Sequence, residues 1–158
     1  MGIKNIGNSS ELYSQRGVLY YKAGKIDLAE RDFLKAYELN PLDFIAVSHL
    51  GLISLKKENL ESALNYFKEA ISIKPLAYDI YTNIGNVYEK MGKIIEAREY
   101  FEIAYEHNPA NIQNIRKLIE VLKKLSDSLK LQMIKDEIEK NQALDIKTKQ
   151  EILALIGG

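Results

Sequence analysis

The sequence lacks several features on which protein chemistry and targeting depend. It has no cysteine, which excludes disulfides, thiolate metal sites and a cysteine nucleophile. Its 22 basic and 22 acidic side chains cancel, so no bulk charge favours nucleic acid or an anionic membrane. No stretch reaches the roughly 18 apolar residues of a membrane span, and the N-terminus lacks a signal-peptide pattern. We therefore expect a soluble cytoplasmic protein with no nucleic-acid partner and no membrane insertion.

Sequence motifs for catalysis are also missing. There is no nucleophile elbow, phosphate-binding loop, dinucleotide fingerprint or zinc-protease motif. The only histidines, His49 and His107, lie far apart in the sequence. We therefore predict that the chain is not an enzyme, that it has no catalytic or metal-binding residues, and that it needs no cofactor.

The three prolines reveal the organisation of the chain. Pro41, Pro75 and Pro109 are spaced by 34 residues, and a fixed period of this kind indicates an array of repeats. Four further columns repeat at the same spacing: Gly17, Gly51 and Gly85; Ala29, Ala63 and Ala97; Phe33, Phe67 and Phe101; Ala36, Ala70 and Ala104.

This pattern resembles the tetratricopeptide repeat (TPR) family, whose unit is a helix–turn–helix of the same length. The family's marks are a bulky residue, Leu-Gly and Tyr in the first helix, then Ala, Phe, Ala and Pro. The third copy carries them as Tyr81, Ile84-Gly85, Tyr88, Ala97, Phe101, Ala104 and Pro109. The resemblance implies an all-α fold, a right-handed α-solenoid of antiparallel helix pairs (a TPR superhelix) with about nine helices.

The repeat register also divides the chain. We expect a flexible N-terminus over residues 1–8 and a single TPR domain over 9–158. Its predicted parts are repeats at 10–43, 44–77 and 78–111, a degenerate repeat at 112–143 and a capping helix at 145–156. Either Asp145 or Thr148 can cap the last helix, and Thr148 with Glu151 fits a capping box.

The small residues of the pattern suggest how the helices pack. A mid-helix glycine costs about 0.5–1 kcal/mol relative to alanine, so a close contact must compensate for it. We predict that each glycine faces the alanine twelve residues later, and that the phenylalanines fill the space between repeats.

In this family the inner face of the first helices lines a concave groove, and helical spacing identifies the residues on that side. Those singled out as groove-lining are Ser14, Val18, Lys22, His49, Leu52, Leu55, Lys56, Asn83, Asn86, Lys90, Arg116, Lys117 and Lys124. Asn83 and Asn86 can hold a peptide backbone, and Arg116 and Lys117 can meet an acidic group. Lys22, Lys56, Lys90 and Lys124 have a second interpretation, because a lysine near a helix C-terminus also complements the helix dipole.

Some TPR proteins hold acidic chaperone tails through a clamp of lysine, asparagine and arginine side chains. The corresponding places in the first three repeats hold Ser14, Val18, His49, Asp79 and Asn83, so that clamp is not expected here.

The resemblance implies a non-catalytic adaptor that binds a peptide or helical segment of another protein in the groove. Two alternatives stay open. The chain can be a self-assembling structural scaffold that forms homo-oligomers, or the TPR part of a larger assembly.

Overall fold

The computed structural model describes residues 9–157, and these are all-α, as predicted. The predicted flexible segment 1–8 lies outside the described residues. The helices of the described part are α1 (Ser10–Lys22), α2 (Ile26–Leu39), α3 (Phe44–Lys56), α4 (Leu60–Ile73), α5 (Tyr78–Lys90), α6 (Ile94–His107), α7 (Ile112–Lys124), α8 (Ser128–Lys140) and α9 (Ile146–Gly157). Within these residues, no helix is both long and apolar enough to cross a membrane.

Short polar side chains begin several of the helices. The Ser9 hydroxyl accepts a hydrogen bond from the backbone N–H of Leu12, and Asp43 accepts from the N–H groups of Ile45 and Ala46. Such caps satisfy backbone donors that have no partner inside the helix. At α9 the cap is Asp145, which accepts from the Thr148 backbone. The predicted capping box is therefore wrong, because Thr148 lies inside the helix.

The turn inside each helix pair uses one backbone conformation at a fixed repeat position. Gly24, Glu58, Gly92 and Ser126 all have positive φ, between 55° and 74°, and lie 34 residues apart. At the first of these turns the N–H of Lys25 donates to Tyr20 O and the N–H of Gly24 donates to Tyr21 O. These two bonds satisfy the last carbonyls of α1 and reverse the chain. Left-handed backbone favours glycine, yet two of the four turns form without it.

The chain divides into two compact units, one ending at Ile80 and the other beginning at Tyr81. In the first unit α1 packs on α2, α3 packs on α4, and α2 packs on α3. Its core contains the fully or almost fully buried residues Ala29, Phe33, Ala36, Ala46, Leu50 and Ile53. Two helix pairs therefore share one apolar core.

In the second unit α7 packs against α6, α8 and α9. Ile115, Leu118 and Leu122 of α7 are fully buried, and so is Ile152 of α9. The predicted capping helix thus lies on α7 and α8, one residue later than the sequence placed it.

Each repeat glycine lies against an aromatic ring. A Cβ atom placed on Gly17, Gly51 or Gly85 would lie 2.6–2.7 Å from the ring of Phe33, Phe67 or Phe101, respectively. The nearest atoms thus belong to the phenylalanine ring, not to the alanine twelve residues later that the sequence predicted as the partner. The ring is the nearest neighbour because the second helix returns antiparallel, and its phenylalanine lies over the glycine of the same repeat.

Candidate functional site

The first candidate surface lies on α1 and α3, and we call it the unit-1 face. It consists of the predicted groove residues Val18, Lys22, His49, Leu52, Leu55 and Lys56. Val18 packs against the core while staying partly exposed, and Leu52 and Leu55 are half-buried. Lys22 and Lys56 are exposed in the last turns of their helices. The unit-1 face therefore presents apolar surface beside two cations.

His49 contributes its ring to the unit-1 face. Its ring stacks on Phe33 with 4.7 Å between ring centroids, and it meets the edge of Tyr21 at 5.4 Å. Nδ1 lies 2.9 Å from the carbonyl oxygen of Ile45, so Nδ1 carries the proton that it donates. Burial lowers the pKa of His49, and the nearby charge of Lys22 lowers it further. His49 is therefore neutral near neutral pH and contributes an aromatic surface.

Ser14, also predicted to line the groove, is used inside the protein. Its side chain is buried, with 1% of the residue exposed, and its hydroxyl donates to Asp43 Oδ2 over 2.7 Å. Ser10 donates to the same oxygen over 2.5 Å. Because Asp43 caps α3, these bonds tie the first repeat to the start of the second. Ser14 thus has a structural role instead of an open position in a groove.

The second candidate surface lies on α5 and α7, and we call it the unit-2 face. It contains Asn83, Asn86, Lys90, Arg116, Lys117 and Lys124. Asn83 and Asn86 are partly exposed and lie one helical turn apart. Within the part of the chain that the structure describes, neither side-chain amide has a hydrogen-bond partner, and Arg116 forms no ion pair. These three side chains are available to a ligand.

Lys117 and Lys124 are already engaged. Their ammonium groups lie 3.0 and 2.5 Å from the two carboxylate oxygens of Glu89, and Lys117 also lies 3.2 Å from Glu120. Burial raises the pKa of the Glu89 carboxyl, but the hydrogen bonds from Lys124 and Lys117 outweigh it, so that the pKa is lowered overall. Glu89 is therefore a carboxylate shared between two lysines.

The buried side chain of Asn114 lies beneath the unit-2 face and connects its helices. Asn114 is 4% exposed, and its side chain accepts from the Thr82 hydroxyl over 2.8 Å and donates to the Ala104 carbonyl over 3.2 Å. These bonds link α7 to α5 and to α6, respectively. Sequence reasoning missed Asn114, because its repeat position holds Leu12 and Ala46 in the first two copies.

Two pairs of residues in contact on neighbouring first helices are separated by the same number of positions, and this separation can be read from the sequence. Tyr21 meets His49, and Glu89 meets Lys117, and both pairs are 28 residues apart. A search for opposite charges at this spacing would have found the Glu89–Lys117 pair. Without it, helical periodicity assigns residues to a face but does not pair them.

Among residues 9–157, no three histidine, aspartate or glutamate side chains come together in a way that could hold a metal ion.

Solved structures with similar folds come from several proteins. PilF of Pseudomonas aeruginosa aligns at 17% identity over 95% of this chain and 74% of its own, with a TM-score of 0.74. MamA aligns at 21% identity over 94% of this chain and 78% of its own, with a TM-score of 0.71. The first TPR of Spaghetti (RPAP3), bound to the HSP90 peptide SRMEEVD, aligns at 19% identity over 79% of this chain and 99% of its own, with a TM-score of 0.71. These likenesses show the fold, and the predicted all-α TPR solenoid class is confirmed.

No curated protein matches the sequence. Two family models do match it, and both describe the tetratricopeptide repeat. One covers residues 15–78 and the other covers 78–111. Tetratricopeptide repeats indicate protein–protein interaction and are generally non-catalytic. On the matching models, the shared fold and the period of its prolines, this chain belongs to the tetratricopeptide repeat family.

Proposed function

We propose that this chain is a non-catalytic adaptor that binds a peptide or helical segment of another protein on the first-helix faces of its repeats. One observation carries the proposal. On the unit-2 face, Asn83 and Asn86 of α5 present two partly exposed amide groups without partners in the described chain, and the partly exposed Arg116 of α7 has no ion pair there. Because these polar groups reach solvent and no other group of the described chain uses them, they can donate to and accept from an external ligand.

The chemistry of the two asparagines fits a polypeptide ligand. Each amide offers two donors and an acceptor, and a peptide backbone offers one donor and one acceptor at most residues. Asn83 and Asn86 project from the same side of α5, since residues three apart are neighbours on a helix surface. Together they can hold the main chain of an extended segment without requiring particular side chains.

Arg116 supports recognition of an acidic group. Its guanidinium can donate two parallel hydrogen bonds to a carboxylate. Lys117, which the sequence offered for the same role, is held by Glu89 and Glu120. Arg116 is therefore the cation of this face that we assign to an acidic residue of the partner.

The unit-1 face supports a different contact. Leu52 and Leu55 are half-buried, and Val18 lies on the same face of the neighbouring helix. Apolar surface of this kind contributes roughly 25 cal/mol for each Å² that a ligand covers. We propose that it takes an apolar side chain of the partner.

Peptides selected from a random display library and measured by titration calorimetry would test the adaptor proposal. Replacing Asn83 and Asn86 together by alanine is expected to weaken binding about 30-fold, since two hydrogen bonds of about 1 kcal/mol each are lost. Charge reversal through Arg116→Glu is expected to weaken the binding of only those peptides that carry an acidic residue.

The chain offers matched controls for both changes. Asn65 lies exposed on the second helix α4, and Arg31 lies exposed on the second helix α2. Asn65→Ala and Arg31→Glu should leave the affinity unchanged. If these controls weaken binding as much as the test variants do, or if the test variants bind like the parent, the ligand does not lie on the unit-2 face.

A second candidate function is self-assembly, and an exposed surface of α1 favours it. Leu12 and Leu19 are 42% and 67% exposed. Their repeat equivalents on α3, Ala46 and Ile53, are completely buried within the same unit. The position that another helix covers in the second repeat is thus open in the first, and a second copy of this chain is the occupant that this candidate requires.

Light scattering over a range of concentrations tests self-assembly. The candidate predicts a mass that rises with concentration and returns to that of a single chain in a Leu19→Glu variant. Leu42→Glu is the control, because Leu42 is 71% exposed but lies in a loop outside this surface. A constant single-chain mass for the parent excludes the candidate.

A further inference from the structure

Glu89 lies where a ligand carboxylate would be expected. Its oxygens accept hydrogen bonds from the ammonium groups of Lys117 and Lys124, at 3.0 and 2.5 Å. The Glu89 side chain is 16% exposed, whereas those of Lys117 and Lys124 are 24% and 50% exposed. The carboxylate is thus the most enclosed member of a cluster whose cations still reach the surface.

The charges around this cluster favour an anion. Three cations of α7, Arg116, Lys117 and Lys124, belong to the unit-2 face. Two carboxylates oppose them, Glu89 and Glu120, and the Glu120 side chain is 54% exposed. Without the charge of Glu89, Lys117 would keep only the solvated carboxylate of Glu120, and Lys124 and Arg116 would have no ion-pair partner in the described chain. Such a surface is complementary to an acidic segment.

We propose that Glu89 is an internal competitor for the acidic group of the partner, because it holds the two lysines that would otherwise bind that group. This proposal rests on the proposed function for the identity of the ligand, a peptide segment with a carboxylate side chain. It also explains why Arg116 is left as the open cation: Glu89 directs an acidic residue toward Arg116 and reduces the affinity of the face for anions in general. Glu89 is accordingly a specificity-determining residue.

If the ion pair between α5 and α7 were purely structural, neutralising Glu89 would change the ligand affinity in the opposite direction. If Glu89 only holds the two helices together, its neutralisation loosens the unit-2 face and weakens the binding of every ligand. If Glu89 competes with the ligand, its neutralisation releases Lys117 and Lys124 and strengthens the binding of anions. The direction of the change therefore separates the two roles.

The first test uses inorganic phosphate and does not depend on any peptide. Chemical shifts of the α5 and α7 amides are followed by NMR as phosphate is added to the parent and to Glu89→Gln. The variant is expected to bind phosphate about tenfold more tightly, since two charge-assisted hydrogen-bond donors become available. Adding Lys124→Met to Glu89→Gln should remove most of this gain.

Glu99→Gln is the matched control. Glu99 is exposed on α6, so this variant changes the net charge equally but away from the cluster. It should bind phosphate like the parent. Equal gains in Glu89→Gln and Glu99→Gln, or no gain in Glu89→Gln, overturn the proposal. Glu89→Ala is the second variant and must show the same gain; unfolding of both Glu89 variants also overturns the proposal.

The second test uses an acidic peptide from the display selection and the same peptide with asparagine in place of its acidic residue. Glu89→Gln is expected to raise the affinity for the acidic form alone. A higher affinity of Glu89→Gln for both the acidic peptide and its asparagine version would contradict competition between Glu89 and the charge of the ligand. If Glu89→Gln binds phosphate more tightly and no peptide binds any variant, the adaptor function fails while the competed anion site stands.

Discussion

Replacing Phe67 by alanine is expected to lower the free energy of unfolding by about 3–5 kcal/mol, the usual cost of removing a buried aromatic ring. Phe67 is completely buried, and its ring lies directly against the backbone of Gly51 on the neighbouring helix. The glycine has no side chain that could move into the vacated space. Both the lost apolar burial and the remaining cavity therefore contribute.

Denaturant unfolding of the parent and the variant checks this expectation. Phe44→Ala is the control, because Phe44 is only half-buried and lies at the first residue of α3. It removes the same ring but should cost clearly less than Phe67→Ala. Equal losses in the two variants, or a loss below about 1 kcal/mol for Phe67→Ala, would show that the ring does not fill an essential space.

The helix bounds could be predicted from the sequence because local signals mark them. Three second helices, Ile26–Leu39, Leu60–Ile73 and Ile94–His107, lie in the second halves of the predicted repeats 10–43, 44–77 and 78–111. Each ends two residues before a proline of the repeat, and the residue preceding proline disfavours the α conformation. These signals act within a few residues of the chain, so periodicity and composition are enough to locate them.

The partners of side chains on different helices could not be predicted in the same way. Ser14 was placed on the groove from its helical spacing, but its hydroxyl donates to Asp43, the cap of the next first helix. Lys117 was likewise predicted to line the groove and meet an acidic group of a ligand, but its ammonium group donates to Glu89 of the same chain. Helical periodicity gives the direction of a side chain. The approach of a neighbouring helix decides whether that side chain stays available.

The fourth repeat differs from the first three at the positions that surround the glycine. Where the first three repeats have glycine and phenylalanine, the fourth has Ile119 and Lys135. The alanine that was predicted to face the glycine changes as well, to Leu131. A bulky residue thus occupies the glycine position in the repeat that has lysine in place of the phenylalanine, and Ile119 is 1% exposed. The glycine is thus found only in the repeats that carry the phenylalanine.

Gly51→Ala is therefore expected to destabilise the protein by about 1–2 kcal/mol, although alanine is the better helix former. Helix propensity alone would stabilise the variant by about 1 kcal/mol. However, the new Cβ would lie 2.6 Å from two ring carbons of Phe67, and overpacking of this kind typically costs about 1–3 kcal/mol and forces the ring to move.

A double-mutant cycle with Phe67→Leu identifies the cause. Leucine leaves more room over Gly51, so Gly51→Ala should cost less in the Phe67→Leu background than in the parent and should become neutral or stabilising. If Gly51→Ala stabilises the parent, or if its cost is the same in both backgrounds, the ring is not what requires glycine at this position. The expected coupling would instead mean that each repeat keeps its glycine because its own phenylalanine occupies the space of a side chain.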